Sequence, residues 1–230
     1  MQRFHPHKEP WGRFVDVKVN AVEVLAKQLH RLDPGSVFTC SACDGWQPID
    51  QKYQLTRRCC KMLLDAGFRL NILTKSELVL RDLDLLVGRD VRLGVTITTA
   101  DEEMARLWEP RASSVSARMN VLRKARAAGL KTVVMFSPLL PGISDSQENL
   151  AELFRLAREA NVDHIWTDML NPRPLVWPSV QTLLKSHWPT LLERYRRILF
   201  DPVYRADYEE QLNQRIRQAA AHFRLTDRLE

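Results

Sequence analysis

Four cysteines stand in two close pairs, Cys40-x-x-Cys43 and Cys59-Cys60, and paired thiols are a common start of a metal site. A structural zinc centre would need all four in one tetrahedral array. Cys59 lies at helical spacing from Leu55, Met62, Leu63 and Ala66, so it reads as a small core side chain, as free cysteines often are. Cys60 would point about 100° away from it and has no assigned role. His5 and His7 have a spacing that suits a metal, but they sit in a polar N-terminal arm, and a solvated arm is the plainer reading. Other residues with chemical potential are Asp44, Lys75, Thr96, Thr98, Asp168 and Arg173. Together they offer charge, hydroxyls and amides suited to a ligand with a carboxylate, an amine and ribose hydroxyls. Each also has a bland reading. Lys75 is an ordinary surface lysine, the threonines are good strand formers, and Asp44-Gly45 is a turn.

The elements around these residues repeat one pattern. An amphipathic helix ends in Gly or Asn and a β-branched strand follows. Cys60 to Gly67 leads into 69–74, Val121 to Gly129 into 131–136, and Ala151 to Asn161 into 162–167. Gly67, Gly129 and Asn161 suit the left-handed position that closes a helix. Two further strands fit at 36–39 and 91–97. In the first helix Val22, Leu25, Ala26 and Leu29 share a face, and Asn20 with Glu23 has the spacing of a capping box. Leu150, Leu153, Phe154 and Ala157 form a later buried stripe. Strands alternating with helices predict parallel pairing and right-handed crossovers, in an open α/β sheet or a partial (β/α) barrel. In such folds ligands bind at the carboxyl ends of strands, which is where Asp44, Lys75, Thr98 and Asp168 fall. From Pro178 the pattern is helical. Pro178, Pro189 and Pro202 each stand where a helix could start, so residues 178–230 read as a helical extension packed on a 1–177 barrel.

Composition excludes several classes. The chain has 230 residues, 45% of them hydrophobic, which suffices for a packed core and argues against disorder. No stretch approaches the roughly 20 apolar residues of a spanning helix, and Met1 to Arg13 lacks the apolar block of a signal peptide. Four cysteines do not make a disulfide framework, so free thiols in a reducing cytosol are the simpler reading. Lys and Arg outnumber Asp and Glu by 34 to 28, a formal charge of +6. That charge permits nucleic-acid binding and equally serves solubility. No basic stripe interleaved with aromatics supports the former.

The segment Asp44-Gly-Trp-Gln-Pro48 with Leu55-Thr-Arg-Arg58 resembles the D-x-Y-Q-P and L-T-R segments of radical S-adenosylmethionine (SAM) proteins, in the branch related to spore photoproduct lyase. Ile72-Leu-Thr-Lys-Ser76 and Leu80-Arg-Asp-Leu-Asp84 resemble the next segments. Thr96-Ile-Thr-Thr99, Trp108-Glu-Pro110, Pro138-Leu-Leu-Pro-Gly142 and Leu170-Asn-Pro-Arg-Pro174 follow in the family's order, from about Phe4 to Phe200. The resemblance implies a six-stranded partial barrel, S-adenosylmethionine, and a [4Fe–4S] cluster held by a CxxxCxxC loop after the first strand. It places Cys43 and Asp44 beside the methionine end of the cofactor, Lys75 on its carboxylate, and Thr96 with Thr98 beside its sugar or carboxylate. Glu109 and Arg111 are structural or line the substrate side. Arg173 meets a substrate phosphate or pairs with Asp168. The four cysteines do not form CxxxCxxC, and five strands are read where the family has six. The expectation is therefore a barrel without its first strand and cluster loop, inactive in radical chemistry. A start assigned too far downstream, a shortened chain and a cluster-free relative are the readings left open. A cluster-free module for a nucleotide-like ligand and a nucleic-acid-binding module remain the alternative functions.

Overall fold

The alternating apolar segments become five parallel strands in the computed structural model, which describes residues 14–39, 43–171 and 176–230. His5, His7, Cys40 and Arg173 lie outside those residues. The strands are β1 (Ser36–Thr39), β2 (Arg69–Thr74), β3 (Val91–Ile97), β4 (Lys131–Leu139) and β5 (His164–Met169). They pair in sequence order, each with the next and all parallel. The helices are α1 (Ala21–Leu29), α2 (Asp50–Tyr53), α3 (Leu55–Asp65), α4 (Leu83–Leu86), α5 (Glu102–Trp108), α6 (Val115–Ala127), α7 (Gln147–Glu159), α8 (Trp177–His187), α9 (Leu192–Phe200) and α10 (Pro202–His222).

Period-two alternation divides the sheet into two faces. Leu70 and Ile72, Leu93, Val95 and Ile97, and Val134 and Phe136 are buried in one core with Val121 and Leu122 of α6 and Phe154 of α7. The Phe136 and Phe154 rings meet edge to face at 5.4 Å, which fixes this as the helix-covered side. The opposite face carries Phe38, Asn71, Leu73, Arg92, Gly94, Thr96, Met135 and Trp166. It is concave. β1 and β5 lie four strand spacings apart, about 19 Å in a flat sheet, yet the Phe38 and Trp166 rings stack at 6.5 Å. The sheet therefore curls into a partial barrel. Gly94 permits the filling of its middle. A methyl group there would lie 2.5 Å from Leu73 Cδ2 and 3.0 Å from the Val133 carbonyl oxygen.

The helix-to-strand turns follow the expected chemistry. Gly67, Gly129 and Asn161 have φ of 82°, 84° and 48°. The four strand starts at 36, 69, 91 and 131 agree with the periodicity. β5 begins two residues later than expected, because the Asp163 carboxylate accepts from the Thr132 N–H at 2.8 Å and ends the loop as a cap. Two expectations are corrected. Asn20 precedes α1 without a side-chain cap, and no residue of α1 is fully buried. In α3 it is Cys60, stacked one turn from Leu64, that enters the core, while Cys59 is half-buried. The buried face lies one residue along from the expected one, about 100° of helix.

Beyond residue 177, Pro178 and Pro202 stand in the first turns of α8 and α10, and Pro189 opens a short 3₁₀ turn. Ile198, Tyr208, Leu212 and Ile216 join the core of the sheet. A second cluster joins Val180, Leu184, Tyr195 and Leu199 to Leu140 and Leu170, which follow β4 and β5. These helices thus cover the carboxyl ends of the last two strands. The outer edge of β5 is occupied as well. Leu229 bridges Ile165, and the Glu230 N–H donates to the Ile165 carbonyl at 3.0 Å.

Candidate functional site

The strand ends hold two sets of polar residues with different work. The first begins at Asp44, just past β1. Its carboxylate accepts from the Thr74 hydroxyl at 2.8 Å, the Lys75 N–H at 2.7 Å and the Trp46 N–H at 2.9 Å. Asp44 therefore ties the loop after β1 to the end of β2. Trp46 is fully buried, and its indole N–H donates to Asp82 at 2.8 Å. Asp82 also receives Arg81 at 2.8 Å and Arg57 at 3.2 Å. Arg81 continues to Asp50 at 2.8 Å, and Arg57 grips Asp84 through two bonds of 2.7 and 2.6 Å. Burial pushes the Asp82 carboxyl upward, but Arg81, Trp46 and Arg57 outweigh it and leave the group below its usual range. Arg57 draws Asp84 down to about 2. The conspicuous Asp-Gly-Trp, Leu-Thr-Arg and Leu-Arg-Asp-Leu-Asp segments thus build one brace between the loops that follow β1 and β2. Cys43 is exposed beside it.

The second set centres on Glu109, which follows α5 and precedes Pro110. Asp101 caps α5 through the N–H groups of Glu103 and Met104 at 2.8 and 3.0 Å. At the helix's other end the Glu109 side chain turns onto the sheet. One oxygen accepts from the Thr98 hydroxyl at 2.8 Å and faces the Lys75 ammonium at 3.4 Å. The other pairs with Arg118 at 2.8 Å. Arg118 comes from α6, is 1% exposed, and also donates to the Thr96 carbonyl at 2.7 Å. Its Nε is buried without a partner. Lys75 remains 36% exposed, so its ammonium faces both Glu109 and open space. Thr96 lies on the concave face in register with Met135, and the bulge in β4 after Phe136 turns the Ser137 carbonyl to within 3.2 Å of the Thr98 hydroxyl.

Of the residues singled out from sequence, Lys75, Thr98 and Glu109 are brought into direct contact, with Thr96 adjacent through its backbone. Asp44 is joined to Lys75 through the backbone. Arg111 is exposed on the loop after α5. Arg118 was not anticipated. Its signal lies in the sequence, since it interrupts the apolar stripe of Val115, Met119, Leu122 and Ala125. A groove of about 480 Å³ next to Thr99 is lined in part by Asp101, Glu148 and Glu152, whose charges disfavour an anion. Among the described residues no group of three His, Cys, Asp or Glu could hold a metal ion.

The sequence profile described as the radical SAM superfamily matches residues 4–154. The chain is 33% identical over 183 residues to the uncharacterized protein ORF301 of Acidianus two-tailed virus, covering 77% of this chain and 60% of that protein. It is 30% identical over 218 residues to the uncharacterized protein Rv2578c of Mycobacterium tuberculosis, covering 92% and 64%. The chain thus spans less than two thirds of the length of these relatives. Among solved structures, spore photoproduct lyase complexed with dinucleoside spore photoproduct has the same fold, with a TM-score of 0.61 at 18% identity over 91% of this chain and 65% of that one. A variant of that lyase with bound AdoMet and the dinucleoside gives a TM-score of 0.61 at 18% identity, covering 91% and 65%. With two thirds of its residues under one family profile, and with that family's curled parallel sheet, this chain belongs to the radical SAM superfamily.

Proposed function

We propose that the carboxyl ends of β2 and β3 bind S-adenosylmethionine, with the Lys75 ammonium on its carboxylate and the Thr96 and Thr98 edge of β3 beside its sugar. Cys43 and Asp44 border the methionine end. The observation that carries this reading is the Lys75 side chain, tied at the strand ends through its ammonium to Glu109 and still about one-third exposed. An amino acid joined to a ribose matches that donor set. Its carboxylate suits a flexible point charge, and its hydroxyls suit the polar edge of β3. Asp44 contributes by fixing the Lys75 backbone, because its own oxygens are already engaged. Arg111 is assigned to the substrate side, and Arg173 keeps the same assignment from resemblance alone.

Bound beside a reduced iron–sulfur cluster, this cofactor supplies hydrogen-abstraction chemistry. The described residues do not fit such a cluster. It needs three thiolates at close spacing, whereas Cys60 is in the core, Cys59 is half-buried on α3 and Cys43 is exposed after β1. Radical chemistry on this scaffold therefore requires ligands that the described residues do not supply, and we place the chain by itself as a cofactor-binding protein of a reducing, cytosolic compartment. No helix of the described residues is long and apolar enough to cross a membrane.

The test is thermal denaturation without iron. S-adenosylmethionine at one hundred times its Kd stabilises the folded state by about 2.7 kcal/mol, a rise in Tm of roughly 5–10 °C for a chain of this size. No rise at millimolar cofactor overturns the binding reading. A stable cluster absorbance after anaerobic treatment with iron and sulfide overturns the reading that the chain holds no cluster.

A further inference from the structure

We propose that Glu109 is the positioning residue of this ligand site, acting through Lys75 rather than on the ligand itself. The inference rests on the cofactor reading and adds to it the residue that aims the cation.

The geometry gives the two Glu109 oxygens separate partners. One belongs to Arg118, a buried cation that also spans to the Thr96 carbonyl. The other is shared by the Thr98 hydroxyl and the Lys75 ammonium. The 2.8 Å contacts to Thr98 and Arg118 are firm, and they hold the carboxylate still. The 3.4 Å contact to Lys75 is looser and leaves an exposed ammonium with free N–H directions. Arg118 and Lys75 share the one Glu109 carboxylate, so that carboxylate alone does not neutralise the Lys75 ammonium, which can still take a ligand carboxylate. A free lysine would explore many rotamers, and holding it in one place removes that ordering cost from ligand binding. Glu109 can hold it because α5 is capped by Asp101 and ends at Trp108, which stacks on Trp188 at 6.0 Å.

Glu109→Gln separates the roles. A glutamine has one acceptor oxygen and one NH₂ in place of two acceptors. The oxygen stays with the buried Arg118, whose charge is costlier to strand. The NH₂ then faces Thr98, whose hydroxyl can rotate to accept, and Lys75, which cannot. Lys75 alone is released.

The experiment measures affinity by calorimetry for two ligands, S-adenosylmethionine and 5′-methylthioadenosine, which lacks the amino-acid end. The proteins are the wild type, Lys75→Ala, Glu109→Gln, the double variant and Glu109→Asp. Glu109→Asp keeps the charge for Arg118 but falls short of Lys75, so it serves where the glutamine variant does not fold. Each single variant is expected to weaken S-adenosylmethionine about tenfold and leave methylthioadenosine unchanged. The double variant is expected to match Lys75→Ala, because Glu109 has nothing left to aim. Wild-type affinity in both Glu109 variants overturns the proposal. So does equal weakening of both ligands, which marks a merely structural role, or additive losses in the double variant. A wild-type chain that binds neither ligand overturns the cofactor reading itself, and the role of Glu109 falls with it.

Discussion

Arg118 carries its charge where 1% of its side chain meets water, and the Glu109 carboxylate and the Thr96 carbonyl are what it has in return. Replacing it by methionine keeps most of the volume but leaves one oxygen of the largely buried Glu109 carboxylate without its partner. Removing one partner of such a buried pair costs about 3 kcal/mol. The expected result is a fall in Tm of roughly 6–12 °C, read by calorimetry, and a fall under 2 °C would show that the pair contributes little. This residue also marks the limit of reading side chains from sequence. A charge inside the stripe Val115, Met119, Leu122 is visible as an anomaly. Its partner is not, because Glu109 reaches it from a non-periodic turn after a helix of seven residues. Lys75 and Thr98 were legible for a different reason. They stand at the ends of well-patterned strands, and strand ends are where a parallel sheet exposes polar groups.

The braces between elements make their own predictions. Asp82 joins the loop after β1 to the turn after β2, and its carboxyl sits below its usual range, as does that of Asp84. A carboxyl that ionises more easily in the folded chain stabilises it fully above the ordinary carboxylate range. That contribution fades as pH falls through the lowered values, toward about 2 for Asp84. Asp84 is two-thirds exposed, so solvent screens its share, and Asp82 dominates. The urea midpoint should therefore drop steadily between about pH 5 and pH 2. Asp82→Asn should be less stable at pH 7, by about 3 kcal/mol, and show a shallower acid slope; a slope equal to wild type would remove Asp82 from the account. In the loop after β4, Asp145 accepts from the Gly142 N–H at 2.6 Å, the Tyr208 hydroxyl at 2.9 Å and Arg215 at 3.0 Å. Burial and the Asp145 charge push the Tyr208 phenol well above its ordinary value, so it stays a neutral donor. Tyr208→Phe should cost about 1–2 kcal/mol and speed amide exchange in α10 more than in β3; equal rates would deny α10 this anchor. Periodicity showed the long helices and all five strands. It missed α2, α4 and α5, which are too short to display a period, and it set the buried face of α3 one residue off.

Taken whole, the molecule is one curled sheet with two kinds of cover. Helices α3, α6 and α7 lie outside it, while α8 and α9 cover the ends of β4 and β5. The parallel order and the partial barrel were legible because the same helix–turn–strand unit recurs with its closing Gly or Asn. The place of the terminal helices over the strand ends was not, because their contacts to Leu140 and Leu170 join residues far apart in the chain. The Phe38–Trp166 stack, which showed the curl, also provides a gauge. Two rings on opposite rims shift each other's magnetic resonance through their ring currents, so the Trp166 indole signal reports the aperture of the barrel. Phe38→Leu should move that signal, and a ligand that widens or narrows the mouth should move it along the same line. An unmoved signal in the variant would mean that the rims do not meet in solution. A molecule whose opening can be read from one indole proton carries its own caliper.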